Sequence, residues 1–343
     1  MGFFKKEIKF LGFDLSQKSI KVVELKQGGN KTTLRTYGGL EIPSPSEKLD
    51  NPKVQGELAK TINEVMERAH VSTRNVVASL PPQHVFNSVL SIPKVSDREM
   101  IEAVKWEAKQ YIPAPLEEVI IDWKKIGDHP ENKKTEVYLV AAPKKLISNY
   151  LKIYEIANVH PLALEIDPLA AARSILGDNQ LTLILIDIGA YETNISVIEK
   201  GILRLCRTIT SGGEIITKAI ASNLNVDEER AEQFKKDFGI QTEKLEGHIL
   251  KSVQPIINTL INEIKRSIEF HKTEGKEEIK KIVLTGGGSE LPGLLDYLNQ
   301  NLKIETEIGD PWNNISYPDK LTKHLGEIGP SFAVAVGLAM RKI

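Results

Sequence analysis

Apolar and polar residues follow the same order at two places along the chain, and each place predicts a β-hairpin. Near the start, a largely apolar run over residues 10–13 ends at Asp14, and past the middle a run over residues 183–186 ends at Asp187. Each aspartate is followed by a short polar turn and then by a strand with alternating apolar positions. The repetition predicts a duplicated chain, in which each half carries a hairpin with a carboxylate at its mouth.

The two turns suit an anionic ligand, because small polar turns can direct backbone N–H groups at an anion. Two such hairpins, facing each other, would hold a polyphosphate from opposite sides. Asp14 and Asp187 would then share a Mg²⁺ ion through water, because Mg²⁺ dehydrates reluctantly. Lys21, on the strand after the first turn, would reach phosphate oxygens. The alternative is that both are ordinary hairpins whose aspartates face solvent.

A third motif follows late in the chain, where the apolar run 282–285 leads into Gly286, Gly287 and Gly288. Ser289 is expected to cap the helix after it, with Pro292 in the first helical turn. Glycines let the backbone approach a ligand closely. A triple glycine alone is usually a turn, but after two aspartate hairpins it predicts an adenosine-binding element.

The remaining pattern predicts two lobes, over residues 1–180 and 181–343, with a subdomain inserted into the first at about 83–159. The insert begins with a strand at 86–92 and a helix that Ser96 and Glu99 start as a capping box. It continues with strands at 119–126 and 137–142 and a helix at 145–157. The apolar face of the first of these helices is predicted to contain Ile101, Val104, Ala108 and Tyr111.

In the second lobe, helices are expected at 213–224, 227–238 and 249–271. The apolar face of the longest is predicted to lie in the core. A last helix, 330–341, is expected to start at Pro330 and to pack back on the first lobe, where Ala333, Ala335 and Gly337 permit close approach.

Composition narrows the class of protein. Over 343 residues the formal net charge is -1, so the chain has no overall electrostatic signal for nucleic acid. The single cysteine, Cys206, fits a reducing compartment. Residues 1–6 are not followed by a signal-peptide apolar core, and no apolar run reaches the length of a membrane span. We therefore expect a cytoplasmic protein that reaches a membrane only through a partner.

In this order, the three motifs resemble the phosphate-1, phosphate-2 and adenosine motifs of the actin/Hsp70/sugar-kinase superfamily. The resemblance implies an α/β fold of two lobes, each RNase H-like. Within the superfamily the chain is most similar to the PilM family of type IV pilus assembly proteins, and next to the FtsA family, which share the inserted subdomain. The residues that carry this similarity are 12–16, 20–25, 211–217, 263–270, 285–288, 291–294 and 332–339.

That resemblance implies ATP and Mg²⁺ as ligands, with Asp14 and Asp187 around the metal. The nucleotide would contact a larger set, namely Ser16, Lys21, Gly189, Thr193, Gly212, Gly213, Glu214, Thr217, Lys235, Lys236, Gly286, Gly287, Gly288 and Ser289. Ser16 stands where the usual motif has glycine. If that position requires a positive φ, serine would cost about 1 kcal/mol there and weaken binding.

The resemblance also implies a partner, the cytoplasmic N-terminal peptide of a PilN-like inner-membrane protein, held between the first lobe and the insert. Other pilus platform proteins, motor ATPases and further copies of the chain are further expected partners. A basic and aromatic helix face is a candidate contact surface, formed by Lys105, Trp106, Lys109 and Tyr111. Its alternative is a solvated helix face.

ATP turnover is expected to be slow at most. Hydrolysis needs a polar residue that orients water towards the γ-phosphate, and Glu165 and Asp167 are the candidates, although an acidic residue before proline often only caps a helix. Two other functions remain open. A small-molecule kinase of this fold would need a substrate cluster that the sequence lacks. An FtsA-like membrane filament protein would carry an amphipathic helix after the last core helix.

Overall fold

In the computed structural model the chain forms two lobes, each built on a five-stranded sheet, and a smaller three-stranded insert. The described residues are 9–28, 31–42, 49–129, 134–241, 243–244, 247–274 and 277–343. Residues 1–6, which entered the expectation about targeting, lie outside them.

The strands are β1 (Leu11–Leu15), β2 (Ser19–Gly28), β3 (Lys31–Glu41), β4 (Asn75–Leu80), β5 (Phe86–Pro93), β6 (Val119–His129), β7 (Lys134–Pro143), β8 (His160–Ile166), β9 (Leu183–Ile188), β10 (Thr193–Glu199), β11 (Ile202–Ile209), β12 (Lys281–Thr285) and β13 (Thr306–Ile308). The helices are α1 (Pro52–Arg68), α2 (Asp97–Tyr111), α3 (Lys144–Ile156), α4 (Asp167–Leu176), α5 (Gly213–Leu224), α6 (Glu228–Phe238), α7 (His248–Thr273), α8 (Leu294–Leu302) and α9 (Thr322–Ala339).

The two large sheets repeat one topology. Their strand orders are β3-β2-β1-β4-β8 and β11-β10-β9-β12-β13. β1 pairs antiparallel with β2 and parallel with β4, and in the same way β9 pairs antiparallel with β10 and parallel with β12. β1 is buried along its whole length, which explains why its sequence is largely apolar rather than alternating. The predicted duplication therefore sets the architecture, and it places Asp14 and Asp187 near the carboxyl ends of equivalent strands.

The insert is a sheet of order β5-β7-β6 covered on one face by α2. The predicted apolar face of α2 was partly wrong: Val104 and Ala108 are buried with Met100, whereas Ile101 and Tyr111 are about half exposed. The periodic pattern was therefore assigned with an incorrect helical phase.

The predicted end of the insert at 159 was also too late, because α3 belongs to the first lobe. Its buried face, Tyr150, Ile153 and Tyr154, packs in the same core as β1 and α1. The chain of the insert thus leaves the first lobe after β4 and returns at the end of β7.

In the second lobe the apolar face of α7 is core, as predicted, with Ile257, Leu260 and Ile264 buried. α9 then packs on the first lobe. A Cβ at Gly12 would lie 2.0 Å from the Ala335 carbonyl oxygen, and one at Gly337 would lie 1.7 Å from that of Ala170. Only glycine permits backbones this close.

The predicted start of α9 at Pro330 was wrong, since the helix begins at Thr322 and contains Pro330. Tertiary contacts stabilise the extra turns: Leu325 is fully buried, and its carbonyl accepts a hydrogen bond from Trp312 Nε1 at 3.1 Å. Local sequence alone favours a start at a proline, because the proline ring disrupts a helix interior.

Candidate functional site

A cleft of about 1340 Å³ lies between the two lobes, and both hairpin aspartates line it. The parallel strands β1, β4 and β8 end at the same edge of the first sheet, which brings Asp14 and Asp167, the first residue of α4, to the cleft. β9 brings Asp187 from the second sheet. The alternative of two solvent-facing aspartates on separate hairpins is therefore wrong.

Asp14 is 4% exposed and is held from two sides. Ser79, near the end of β4, donates from Oγ to Asp14 Oδ1 at 3.2 Å, while its oxygen accepts the backbone N–H of Leu15. Lys21 Nζ lies 3.6 Å from Asp14 Oδ2. The ammonium group of Lys21, which was predicted to reach phosphate oxygens, thus lies beside the Asp14 carboxylate.

The other two carboxyl groups are electrostatically strained. Burial raises the pKa of Asp187 to about 6, and the Asp14 carboxylate adds to the rise, while Lys21 and a hydrogen bond from Thr285 oppose it. Burial, followed by Asp14 and Asp187, raises the pKa of Asp167 well above its ordinary value. Asp167 Oδ1 is buried without a hydrogen-bond partner. The cluster therefore has more negative charge than Lys21 compensates.

This charge imbalance fits a hydrated divalent cation. In the described part of the chain, no three His, Cys, Asp or Glu side chains converge closely enough to coordinate a metal directly. Mg²⁺ commonly keeps several water ligands and uses few protein carboxylates. Asp14 and Asp187 would hold such an ion through water, and its charge would lower the raised pKa values.

The two turns have defined backbones. Ser16 does not have a positive φ, so the predicted cost of serine there does not arise; its N–H and Oγ both donate to the Ser19 carbonyl at 3.0 Å. In the second turn, the Gly189 N–H donates to the Glu192 carbonyl at 2.8 Å. Gly189 then accepts from the Gly213 N–H, which fixes the start of α5 against the turn.

An ion pair between Lys18, in the first turn, and Glu214, on α5, crosses the cleft. Burial alone would lower the pKa of Lys18, but Glu214 more than compensates and raises it. The two lobes are thus joined by a charge pair beside the carboxylates.

Further along the cleft, Lys235 of α6 donates to Thr217 Oγ1 at 2.8 Å and to the Gly213 carbonyl at 3.1 Å. Glu232 accepts from Thr217 at 2.6 Å and pairs with Lys235. Burial alone would raise the pKa of Glu232, but these partners lower it to about 2. Sequence reasoning missed Glu232, although its i,i+3 spacing from Lys235 was a usable signal.

The triple glycine is pressed against β9. Gly286 has φ +79, and a Cβ there would lie 2.5 Å from Asp187 Oδ1; one at Gly288 would lie 2.3 Å from Ile188 Cγ2. Gly287 faces open space. Ser289 does not cap a helix as predicted: it is buried and donates to the Gly286 carbonyl at 2.7 Å, closing a 3₁₀ turn. Pro292 precedes α8, which begins only at Leu294.

The cleft gathers most, but not all, of the predicted site residues. Its lining includes Asp14, Ser16, Lys21, Asp167, Asp187, Gly189, Gly213, Glu214, Lys235, Lys236, Gly286, Gly287 and Gly288. The predicted residues outside this lining are Thr193, Gly212, Thr217, Ser289 and Glu165.

Four of these residues, Thr193, Gly212, Thr217 and Ser289, contact the residues that line the cleft or the loops that carry them. Thr193 donates to the Ser211 carbonyl at 2.5 Å, and a Cβ at Gly212 would lie 2.5 Å from the Ala190 carbonyl oxygen. Glu165 instead pairs with Arg173 and Arg341. Of the two hydrolysis candidates, only Asp167 lines the cleft.

The cleft is also lined by residues beside the two chain connections of the insert, and we call this part of its lining the groove. The groove is lined by Gln83 and His84 after β4 and by Lys145, Asn149 and Tyr150 on α3. Gln83 Oε1 is buried without a hydrogen-bond partner.

The predicted contact surface on α2 lies elsewhere. Trp106 is 69% exposed on α2, which covers one face of the insert sheet, whereas Tyr138 and Val140 on the opposite face pack against the first lobe. The basic and aromatic face of α2 is therefore not part of the groove.

Comparisons with known proteins agree with the fold. A family model described as Type IV pilus assembly protein PilM matches residues 12–343. A solved PilM-PilN type IV pilus biogenesis complex contains a similar chain, with a TM-score of 0.84 and 29% identity over 97% of this chain and 98% of that one. Ethanolamine utilization protein EutJ from Carboxydothermus hydrogenoformans shares the fold alone, with a TM-score of 0.57 and 17% identity over 97% and 90% of the two chains.

Cell division protein FtsA of Bacillus subtilis is 26% identical over 292 residues, which are 74% of this chain and 63% of that relative. The chain thus spans less than two thirds of that relative's length. Together these similarities confirm the predicted actin-like fold. None of the helices in the described ranges combines the length and apolar character of a transmembrane span.

Proposed function

The chain belongs to the PilM family of type IV pilus assembly proteins, and on that premise we propose that it is an ATP-binding assembly protein of the pilus machinery at the inner membrane. The observation that carries nucleotide binding is the pair of duplicated turns facing one cleft, with Asp14 and Asp187 at their mouths. The triphosphate lies between these turns, and Lys21 supplies the first positive charge. A bound Mg²⁺ would neutralise phosphate charge.

The remaining parts of the cleft fit the nucleoside. Glu232, fixed by Thr217 and Lys235, offers a carboxylate for ribose hydroxyl groups. Gly287 has open space where a side chain would be, so the purine ring lies over this backbone. Isothermal titration with ATPγS and Mg²⁺ tests this binding. Wild-type protein should bind with one site, and an Asp14→Asn variant at least tenfold more weakly; equal affinity would contradict the site.

Hydrolysis, where it occurs, is assigned to Asp167. It lies in the cleft with a free oxygen, so it can orient a water molecule, whereas Glu165 is held by two arginines. Single-turnover measurements should show loss of activity in Asp167→Asn and retention in Glu165→Gln. The reverse order would contradict the assignment.

The proposed partner is the N-terminal peptide of a PilN-like inner-membrane protein, bound in the groove between the first lobe and the insert. Support comes from the similar chain in the solved PilM-PilN complex and from the groove, where Gln83, Lys145 and Asn149 supply polar groups. Such a partner would hold this protein at the cytoplasmic face of the membrane.

Fluorescence anisotropy with a labelled PilN N-terminal peptide from the same genome tests the groove. Lys145→Glu and Asn149→Arg change groove residues and should weaken binding at least tenfold. Trp106→Ala changes the exposed face of α2 and serves as the matched control, with unchanged affinity expected. Loss of binding in the Trp106 variant alone would move the peptide to α2.

A further inference from the structure

The insert touches the second lobe as well as the first, through a shielded ion cluster. Arg204 of β11 donates from Nη1 to Glu136 Oε2 of β7 at 2.8 Å. Its Nε lies 2.7 Å from Glu199 Oε2 at the end of β10, an ion-pair distance without hydrogen-bond alignment. The arginine therefore joins a carboxylate of the insert to one of the second lobe.

Burial makes this contact more than a surface ion pair. The side chains of Arg204, Glu136 and Glu199 are only 14%, 12% and 10% exposed. Removing one partner of a buried ion pair is costly, because the remaining charge stays desolvated. The planar guanidinium also fixes the direction of the hydrogen bond to Glu136. The cluster thus resists sliding of the insert over the second lobe.

The same hairpin connects this cluster to the cleft. β10 begins at Thr193, which fastens the second turn, and ends at Glu199. The seven residues of β10 place the second turn and the ion cluster roughly 20 Å apart. β10 is hydrogen-bonded to β9 on one side and to β11 on the other. A shift of the second turn relative to the first lobe therefore moves Arg204 with it.

We propose that the Glu136–Arg204–Glu199 cluster couples the nucleotide cleft to the peptide groove. The insert is covalently attached to the first lobe and held by Arg204 to the second, so rotation of the lobes moves the insert and changes the groove that it forms with α3. Nucleotide occupancy then alters peptide affinity, and the peptide alters nucleotide affinity by the same factor. The inference rests on the proposed function for its two ligands.

The contact itself is tested without any ligand. Thermal unfolding of Glu136→Ala, Arg204→Met and the double variant forms a double-mutant cycle. The double variant should lose clearly less than the sum of the two single losses. Asp128→Asn is the control, because the partners of Asp128, which are Lys94, Lys125 and Thr135, all lie inside the insert. Additive losses would overturn the proposal at this stage.

Transmission is tested by hydrogen exchange of the folded full chain. Addition of ATPγS and Mg²⁺ should change protection in β5 and β7 of the wild-type protein and of Asp128→Asn. The change should fall at least threefold in Glu136→Ala, while the ATPγS affinity of that variant stays within threefold of wild type. If titration confirms that wild-type protein binds ATPγS but exchange protection in β5 and β7 does not change, the coupling is overturned and the proposed function stays intact.

The reverse direction of the coupling is tested by adding the PilN peptide and measuring hydrogen exchange in β11. Peptide should alter exchange in β11 in wild type and not in Glu136→Ala. If ATPγS does not bind at all, the nucleotide part of the proposed function is wrong, and this arm alone decides the coupling. No response of β11 to bound peptide would then overturn it.

Discussion

Neutralising Asp187 tests the electrostatic strain of the cleft. The pKa of Asp187 is raised from the ordinary 3.8 to about 6, by burial first and by Asp14 second. Between these two pH values the folded protein binds more protons than the unfolded chain, so its stability falls as the pH rises. This pKa difference corresponds to a loss of folding stability of about 3 kcal/mol at most, and the loss is complete above about pH 6. Asp187→Asn removes this penalty and keeps an oxygen that accepts from Thr285.

The assay is urea unfolding without nucleotide and with EDTA, at pH 4 and at pH 8. Asp187→Asn should be more stable than wild type at pH 8, by up to about 3 kcal/mol, and equal to it at pH 4. Asp319→Asn, at an exposed position, is the control and should show no such pH dependence. A variant that is less stable than wild type at pH 8, or that gains as much at pH 4, would refute the reasoning.

Other predictions concern the same site and the glycines. Affinity for Mg²⁺ and ATPγS should rise as the pH increases through about 6, because ionised Asp187 attracts the cation, and titrations at pH 5 and 7.5 should show this. Gly288→Ala should abolish ATPγS binding by displacing Ile188, whereas Gly287→Ala should fold normally but weaken ATPγS binding at least tenfold, because its Cβ takes the space proposed for the purine ring. Within α9, Gly337→Ala should lower the free energy of unfolding by more than about 3 kcal/mol through its backbone clash, while Gly326→Ala, which meets no atom within 4 Å, should raise it by about 1 kcal/mol. Stabilisation by Gly337→Ala, or equal effects of the two, would contradict this packing.

The duplicated hairpins were predictable because their information is local. A buried strand that ends in an aspartate, a polar turn and an alternating strand can be recognised without knowing the rest of the fold. The glycine run was recognisable for the same reason, since glycines after a strand predict a close backbone approach, but the contact of Gly286 with Asp187 was not predicted. What the sequence could not provide was the partner of each side chain, such as Ser79 at Asp14.

The errors concern tertiary contacts. α9 starts eight residues before Pro330 because Leu325 is buried and its carbonyl accepts from Trp312, a contact that no local pattern encodes. α3 joins the first lobe because its aromatic face packs with β1, although it follows the insert directly in sequence. Trp106 and Lys105 stood out as a charged aromatic face, but α2 covers the face of the insert sheet opposite to Tyr138 and Val140, and neither residue lines the cleft.

The most direct test of the central claim is a crystal structure of the full chain with ATPγS and Mg²⁺. The account predicts the triphosphate between the turns at residues 16–19 and 189–193, with a metal whose water ligands contact both Asp14 and Asp187. Nucleotide bound outside this cleft, or a metal remote from both carboxylates, would contradict it.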